Sequence, residues 1–255
     1  MKKINLHTHT VFCDGKNTPE EMVRGAIERG FDCLGFSVHS PMKSGVWWTI
    51  RPQDVPAYLD EIHRLQTKYA GVIEIKNGIE LDREYCDVNV RDFDYVIGAV
   101  HQIVCDDRYY DVDDTPDILR DCCKKEFGGD FMALLTRYYE TFSDFVCRED
   151  VQIVAHFDLV EKFNAHHELF DTDDPAYQAL ALRHLDRILD AKPGITFEVN
   201  TGAMFRVGNP LPYPAPFLIR ALKQRGAHLI VTSDAHCVEA LDFGFDKARA
   251  LIDSV

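Results

Sequence analysis

A single-domain α/β barrel spanning residues 1–255 is the fold this sequence predicts, and three observations predict it. Seven short apolar runs alternate with helical stretches from one end of the chain to the other, an alternation that implies a parallel sheet covered by helices. Each run ends in a side chain with metal-binding capacity or strong hydrogen-bonding power: His7 with His9, His39, Glu80, His101, His156, Asn200, and Asp234 with His236. An open doubly wound sheet gathers its ligands mainly at the switch point. Functional residues at the carboxyl end of nearly every strand instead favour a closed ring, where barrel enzymes keep their chemistry. Finally, 255 residues with 46% hydrophobic content suffice for a full core, and no Ser/Gly/Pro-rich linker divides them.

The elements follow in order. Ile4-Asn-Leu-His-Thr-His9 is a short apolar run ending in two imidazoles one residue apart, which side-chain alternation in a strand would place on the same face. Thr18-Pro19-Glu20-Glu21 opens a helix, with Thr18 as cap, Pro19 in the first helical position and Glu21 completing a capping box, and Gly30 closes it. Cys33 to Val38 forms the second strand, ending at His39. Residues 42–52, with Trp47 and Trp48, lack periodicity and read as a loop overhanging the barrel mouth. A helix over about 54–69 carries Tyr58, Leu59, Ile62, Leu65 and Tyr69 on one stripe. Val72 to Ile79 ends in Glu80, and Phe93 to Val100 ends in His101. Residues 105–128 are acidic and aromatic, with a helix at 116–126, and a strongly periodic helix covers 130–147. Val151 to Ala155 ends in His156; a helix follows at about 174–191. Ile195 to Val199 ends in Asn200, and a helix at about 215–225 stops at Gly226. Ala227 to Ser233 leads to Asp234 and His236, and a last helix runs over about 238–253.

Composition narrows the function. A formal net charge of −14 disfavours a protein that wraps nucleic acid, which needs phosphate-neutralising cations; it suits a small or cationic substrate. The start of the chain lacks a signal-peptide pattern and no stretch of about 20 apolar residues occurs, so a cytoplasmic protein without a membrane partner is expected. The eight cysteines contain no C-x-x-C pair and read as reduced thiols, with Cys13 and Cys237 adjacent in sequence to candidate ligands.

His7-Thr-His9, Ser37-Val-His39-Ser40, Gly78-Ile-Glu80, Gly98-Ala-Val-His101, Ala155-His156-Phe-Asp158-Leu, Glu198-Val-Asn200-Thr-Gly202 and Ser233-Asp234-Ala-His236 together resemble the polymerase-and-histidinol-phosphatase (PHP) family over almost the full chain. Leu159-Val-Glu-Lys162-Phe and the segment from Asn200 to Arg206 look most like its stand-alone histidinol-phosphate phosphatases. The resemblance implies a distorted seven-stranded, TIM-like (β/α)7 barrel with two or three divalent ions, zinc, iron or manganese. It implies that His7, His9, Glu80 and Asp234 hold one ion, that Glu80, His101 and His156 hold a second, and that His39 and His236 belong to a third. Many relatives carry a histidine near position 14; here Asp14, a harder oxygen ligand, would complete that third site.

Hydrolysis of L-histidinol phosphate, in histidine biosynthesis, is the activity so implied, with Glu80, Asp234 and His236 as catalytic groups. A phosphomonoester dianion repels an anionic nucleophile and its alkoxide leaves poorly; clustered cations lower the pKa of a bridging water and offset the phosphoryl charge. Lys162 and Arg206, each six residues beyond a strand end, are expected to grip the phosphate, Arg206 as a fork and Lys162 as a point charge. Asn200 and Trp47 are expected at the substrate as well. Asp111, Asp113 and Asp114, with Asp106 and Asp107, form an acidic stretch that would attract an ammonium or imidazolium. Asp158 is expected behind the metal histidines. His63, His184 and His228 read as structural or surface groups, and His166-His167 as a solvated pair. The competing readings are another phosphoesterase of the family, acting on nucleotides or a different small ester, and a metal-binding interaction module, which a ligand set drawn from every strand end disfavours.

Overall fold

The computed structural model describes residues 2–164 and 168–255; the His166-His167 pair lies outside them. Strand β1 (Ile4–Asn5) leads through the loop bearing His7 and His9 to helix α1 (Pro19–Glu28), then β2 (Cys33–His39), α2 (Val55–Lys68), β3 (Glu74–Asp82) and β4 (Tyr95–Ala99). A hairpin of β5 (Gln102–Cys105) and β6 (Arg108–Asp111) precedes α3 (Pro116–Glu126) and α4 (Phe131–Arg148). The chain continues as β7 (Ile153–Val154), α5 (Pro175–Ala191), β8 (Thr196–Asn200), the five-residue α6 (Gly202–Arg206), α7 (Pro216–Gln224), β9 (His228–Thr232) and α8 (Phe245–Ser254).

Seven strands pair in parallel in the order β1-β2-β3-β4-β7-β8-β9. Thr8 bridges Ala235, with the His9 N–H donating to the Ala235 carbonyl at 2.8 Å and the Ala235 N–H to the His7 carbonyl at 3.2 Å. First and last strands therefore meet, and the nearly closed ring is joined at the end where the candidate ligands stand. Alternation sorts the side chains. Leu34, Phe36, Val38, Ile79 and Leu81 belong to the large core shared with Met22, Val23, Tyr58, Ile62 and Leu65 of α1 and α2, each buried side chain contributing about 1.5–3 kcal/mol. A second cluster of Tyr95, Ile97, Ala99, Ile153 and Ala155, with Leu6 and Ile230, plugs the barrel interior below the ligands. Tyr95 needs unusual room: a Cβ on Gly78 would stand 2.2 Å from its ring and one on Gly35 2.3 Å from its hydroxyl. That hydroxyl donates toward the carbonyls of Leu6 at 2.6 Å and Phe36 at 2.9 Å, so a polar tip inside the barrel is satisfied.

Local signals explain most boundaries. Thr18 and Glu21 form the reciprocal capping box that starts α1, and Gly30 follows it with φ +69°. Two elements were not anticipated and one expectation is corrected. The stretch after His101 is a hairpin with a tight Asp106-Asp107 turn, Asp106 at φ +53°. Helix α6, too short to show periodicity, follows Asn200. The expected last helix over 238–253 is broken: a 3-10 turn at Val238–Ala240 precedes α8, and Gly244 at φ +75° separates them. No helix among the described residues is long and apolar enough to cross a membrane.

Candidate metal centre

β2 and β3 set the centre of the site, because their register makes His39 and Glu80 direct neighbours. Glu80, 1% exposed, spreads its two oxygens between two groups of imidazoles. Oε1 lies 2.8 Å from His156 Nε2 and 3.6 Å from His101 Nε2. Oε2 lies 2.8 Å from His39 Nδ1, 3.3 Å from His7 Nε2 and 3.5 Å from His9 Nε2. Asp234 Oδ1 faces the second group, 3.2 Å from His9 Nε2 and 3.6 Å from His7 Nε2. On the outer side Asp14 reaches His236 Nε2 at 3.0 Å and His39 Nε2 at 3.6 Å. The His9 ring is stacked between His39 and His236, with centroids 4.2 and 4.3 Å away. All nine sequence-predicted ligands thus converge. His156 and Asp234 do so with φ of +31° and +47°, a conformation disfavoured for side-chain-bearing residues and concentrated at functional sites.

Two carboxylates behind the histidines were not singled out from the sequence. Glu198 Oε2 lies 2.8 Å from His7 Nδ1 and accepts from Thr232 Oγ1 at 2.8 Å. Asp82 Oδ2 lies 3.0 Å from His101 Nδ1 and accepts the His101 N–H at 2.9 Å. Each fixes the ring so that Nε2 faces Glu80. The signal was present in the spacing: Asp82 follows Glu80 by two residues and Glu198 precedes Asn200 by two, so each acid shares a strand face with a strand-end residue.

Charge in this buried cluster is mutually compensated. Burial disfavours the imidazolium of His7, but Glu198, Glu80 and Asp234 outweigh it and hold its pKa well above the ordinary value. His9 goes the other way, to about 3, because burial is reinforced by His39 and His236. Burial pushes the Glu80 carboxyl up, yet His7, His39 and His101 carry it well below the usual range; for Asp234 the same burial is outweighed by Arg206 and His7. Even so, His7 Nε2, His9 Nε2, Glu80 Oε2 and Asp14 Oδ1 are buried without a hydrogen-bond partner, at a cost of about 1–3 kcal/mol each. The ligand atoms fall into groups of three or four within 4.8 Å of one another, among them His7, His9 and Asp234, and His9, Asp14, His39 and His236. Unpaired imidazole and carboxylate atoms facing one another at that spacing fit divalent metal ions.

A cavity of about 480 Å³ opens over the cluster. Asp14, His39, His101, Asp234 and His236 form its floor, Val46, Trp47 and Trp48 one wall, Asp111, Asp113 and Asp114 another, with Lys162 and Arg206 between. Arg206 donates to Asp234 Oδ2 at 2.8 Å and to the Asp234 carbonyl at 2.9 Å. Trp48 packs on His39 and His101 with centroids 5.0 and 5.3 Å away, whereas Trp47 is 84% exposed at the rim. Two expectations need correction. Asn200 does not line the cavity: its amide N–H groups go to Glu198 Oε1 at 2.7 Å and Asp234 Oδ2 at 3.5 Å, and its oxygen accepts the Gly202 N–H at 2.7 Å. Asp158 does not bond a metal-site histidine; it accepts the Ala215 N–H at 2.6 Å and so fixes the entry to α7. His184 is buried against Ser143 at 2.8 Å, His63 and His228 are exposed, and Asp106 and Asp107 turn the hairpin. All eight cysteines are free, and Cys13 Sγ lies 3.6 Å from His9 Nδ1. A wider furrow of about 850 Å³ along α5, bordered by Arg183, Asp186 and Arg225, holds none of these groups.

Comparison with known proteins points the same way. The PHP domain profile matches residues 5–202. A probable histidinol-phosphatase of Deinococcus radiodurans is 30% identical over 255 residues, covering 95% of this chain and 89% of that one. A structure from Listeria monocytogenes, assigned as a candidate histidinol phosphatase, superimposes with a TM-score of 0.82 at 21% identity, covering 96% of this chain and 99% of that one. The histidinol phosphate phosphatase of Lactococcus lactis, solved with zinc, L-histidinol and phosphate, does so with a TM-score of 0.68 at 24% identity, covering 99% and 93%.

Proposed function

The chain belongs to the PHP domain family, and from that premise we propose that it is a metal-dependent phosphomonoesterase converting L-histidinol phosphate to L-histidinol and phosphate. One observation carries the reading: a ring of strand-end imidazoles and carboxylates around Glu80 forms the floor of a cavity whose walls supply two cations, Lys162 and Arg206, and an acidic face. The full-length relation to the Deinococcus radiodurans protein supports the substrate, as does the L-histidinol and phosphate bound by the Lactococcus lactis enzyme.

His7, His9, Glu80 and Asp234 would hold one ion, Glu80, His101 and His156 a second, and Asp14, His39 and His236 a third, with zinc favoured by the Lactococcus lactis complex. When bound, such ions supply Lewis acidity that activates water and offsets phosphoryl charge. The remaining work falls to the protein. Arg206, aimed by Asp234, offers its remaining N–H groups to the non-bridging phosphate oxygens, and Lys162, also lining the cavity, adds a point charge. Asp234 and His236 line the same cavity as Arg206, which supports a catalytic role for both at the phosphoryl group. Asn200 holds the Asp234 carboxylate and does not meet the substrate. Trp48 with the Asp111 and Asp114 carboxylates suits a flat, cationic alcohol half, with Trp47 at the rim. Eight free thiols suit a reducing cytoplasm.

The test is a panel of esters on the metal-loaded protein. The kcat/KM for histidinol phosphate is expected to exceed that for nucleoside monophosphates, sugar phosphates and an aryl phosphate by well over tenfold, the worth of about 1.4 kcal/mol in recognition of the alcohol half. A value no higher than for the aryl phosphate would move the assignment to a broader phosphoesterase of the same family.

A further inference from the structure

Lys162 lines the cavity yet does not stand free in it. Its ammonium donates to the Asp113 carbonyl at 2.7 Å and to Asp113 Oδ2 at 3.0 Å, with the two side chains 10% and 25% exposed. An ammonium has three protons, so this pairing leaves one for a ligand in the cavity. Asp113 is itself fixed, because the neighbouring Val112 N–H donates to the His101 carbonyl at 2.8 Å and so ties the segment after β6 to a metal-site histidine. The Lys162 carbonyl accepts from Asn209 Nδ2 at 3.3 Å, which braces the same residue against the loop after α6. The other two acids of the wall are placed differently: Asp111 takes the Gln102 amide at 2.8 Å, and Asp114 is exposed.

A carboxylate this close to a phosphate-binding cation lowers its attraction for every phosphate, substrate and product alike. Tight uniform binding of phosphate lowers KM without raising kcat, and the product of the proposed reaction is itself a phosphate dianion. We propose that Asp113 is a positioning residue that holds Lys162 in place and, through its charge, limits how tightly the site retains phosphate. The proposal rests on the reading of Lys162 as a phosphate-binding group.

Asp113→Asn keeps an oxygen acceptor and removes the charge. On the metal-loaded protein, calorimetric titration with inorganic phosphate should show binding tightened by about tenfold, the scale of one nearby charge. The KM for histidinol phosphate and for phenyl phosphate should fall together by a similar factor, with no gain in kcat. Asp113→Glu should restore the weaker wild-type affinity. Lys162→Met should loosen phosphate, and the double variant Asp113→Asn/Lys162→Met should bind it more weakly than Asp113→Asn. Wild-type phosphate affinity in Asp113→Asn, with Lys162→Met loosened as expected, overturns the role of Asp113 and leaves the reading of Lys162 standing. Loss of histidinol phosphate turnover with phenyl phosphate unaffected also overturns it, making Asp113 an acceptor for the substrate ammonium. Unchanged phosphate affinity in Lys162→Met removes the underlying reading and the proposal with it.

Discussion

Two groups of buried acids have surroundings that move their pKa in opposite directions. Glu80 and Asp234 sit among imidazoles and beside Arg206, and are held well below the usual carboxyl pKa range despite burial that pushes them up. Asp158 and Glu161 sit among the aromatic side chains of α4 and α5. Burial raises both, Glu161 is raised further by Asp158, and the Tyr177 hydroxyl bonded to Glu161 only partly opposes the shift. Burial is common to the two groups, so burial does not make the site. What differs is the neighbours: nitrogen atoms that can be shared with a cation on one side, hydroxyls and backbone amides on the other.

The difference is tested most severely at Glu80. If its two oxygens serve two ions, Glu80→Gln should lose more than one equivalent of metal after dialysis, measured by elemental mass spectrometry. Removing one partner from a buried ionic cluster costs about 3–5 kcal/mol, or about 10²- to 10⁴-fold in metal affinity. Loss of a single equivalent would argue against bridging and would break the contrast between a shared and an unshared carboxylate.

Glu198→Gln probes the same side one layer back. The amide can still accept from Thr232, but it no longer offers His7 Nδ1 a carboxylate. Affinity for the ion that His7 would hold should fall about 10- to 100-fold in a competitive chelator titration, with a parallel loss of activity. Unchanged metal affinity would reduce Glu198 to a strut between β8 and β9.

That Glu198 had to be found in the structure shows where the sequence stops speaking. Strand ends were legible because apolar runs and turn residues are local signals, and the capping box of α1 is readable in four letters. The hairpin after His101 was missed because its apolar run, Ile103 to Cys105, is only three residues long and its return strand, Arg108 to Asp111, is charged and aromatic, with no period-2 alternation in either. Helix α6 is shorter than two turns and shows no period, so nothing in the sequence shows that Arg206 ends a helix. Distances between strands are not local: nothing in the spacing says that Asp158 turns to Ala215 while Glu198 turns to His7. The ligand set was readable because every strand of a parallel ring delivers its end to the same face, and Asn200 was misjudged as touching substrate because that rule gives the face but not the depth.

The smallest expected effect lies in the other group of acids. Glu161 is half-buried as a residue, with its carboxyl turned in to Tyr177. Its folded pKa is raised well above 4.5, by burial first and by Asp158 second. An acid raised in the folded state stays protonated there while the unfolded chain has already released its proton. Stability is therefore full below the unfolded value and is lost as pH climbs from 4.5 toward the folded pKa, at most about 1.4 kcal/mol per pH unit for each retained proton. Glu161→Gln keeps an oxygen for Tyr177 and has no proton to lose, so its stability should decline less steeply. The comparison is made by urea unfolding with saturating metal across the neutral and mildly alkaline range, where both proteins carry the same ligand histidines and ligand titration cancels in the difference. The variant should gain on the wild type as pH rises. Parallel curves would mean that Glu161 ionises without penalty, and that the two groups of acids differ in their neighbours but not in their charge.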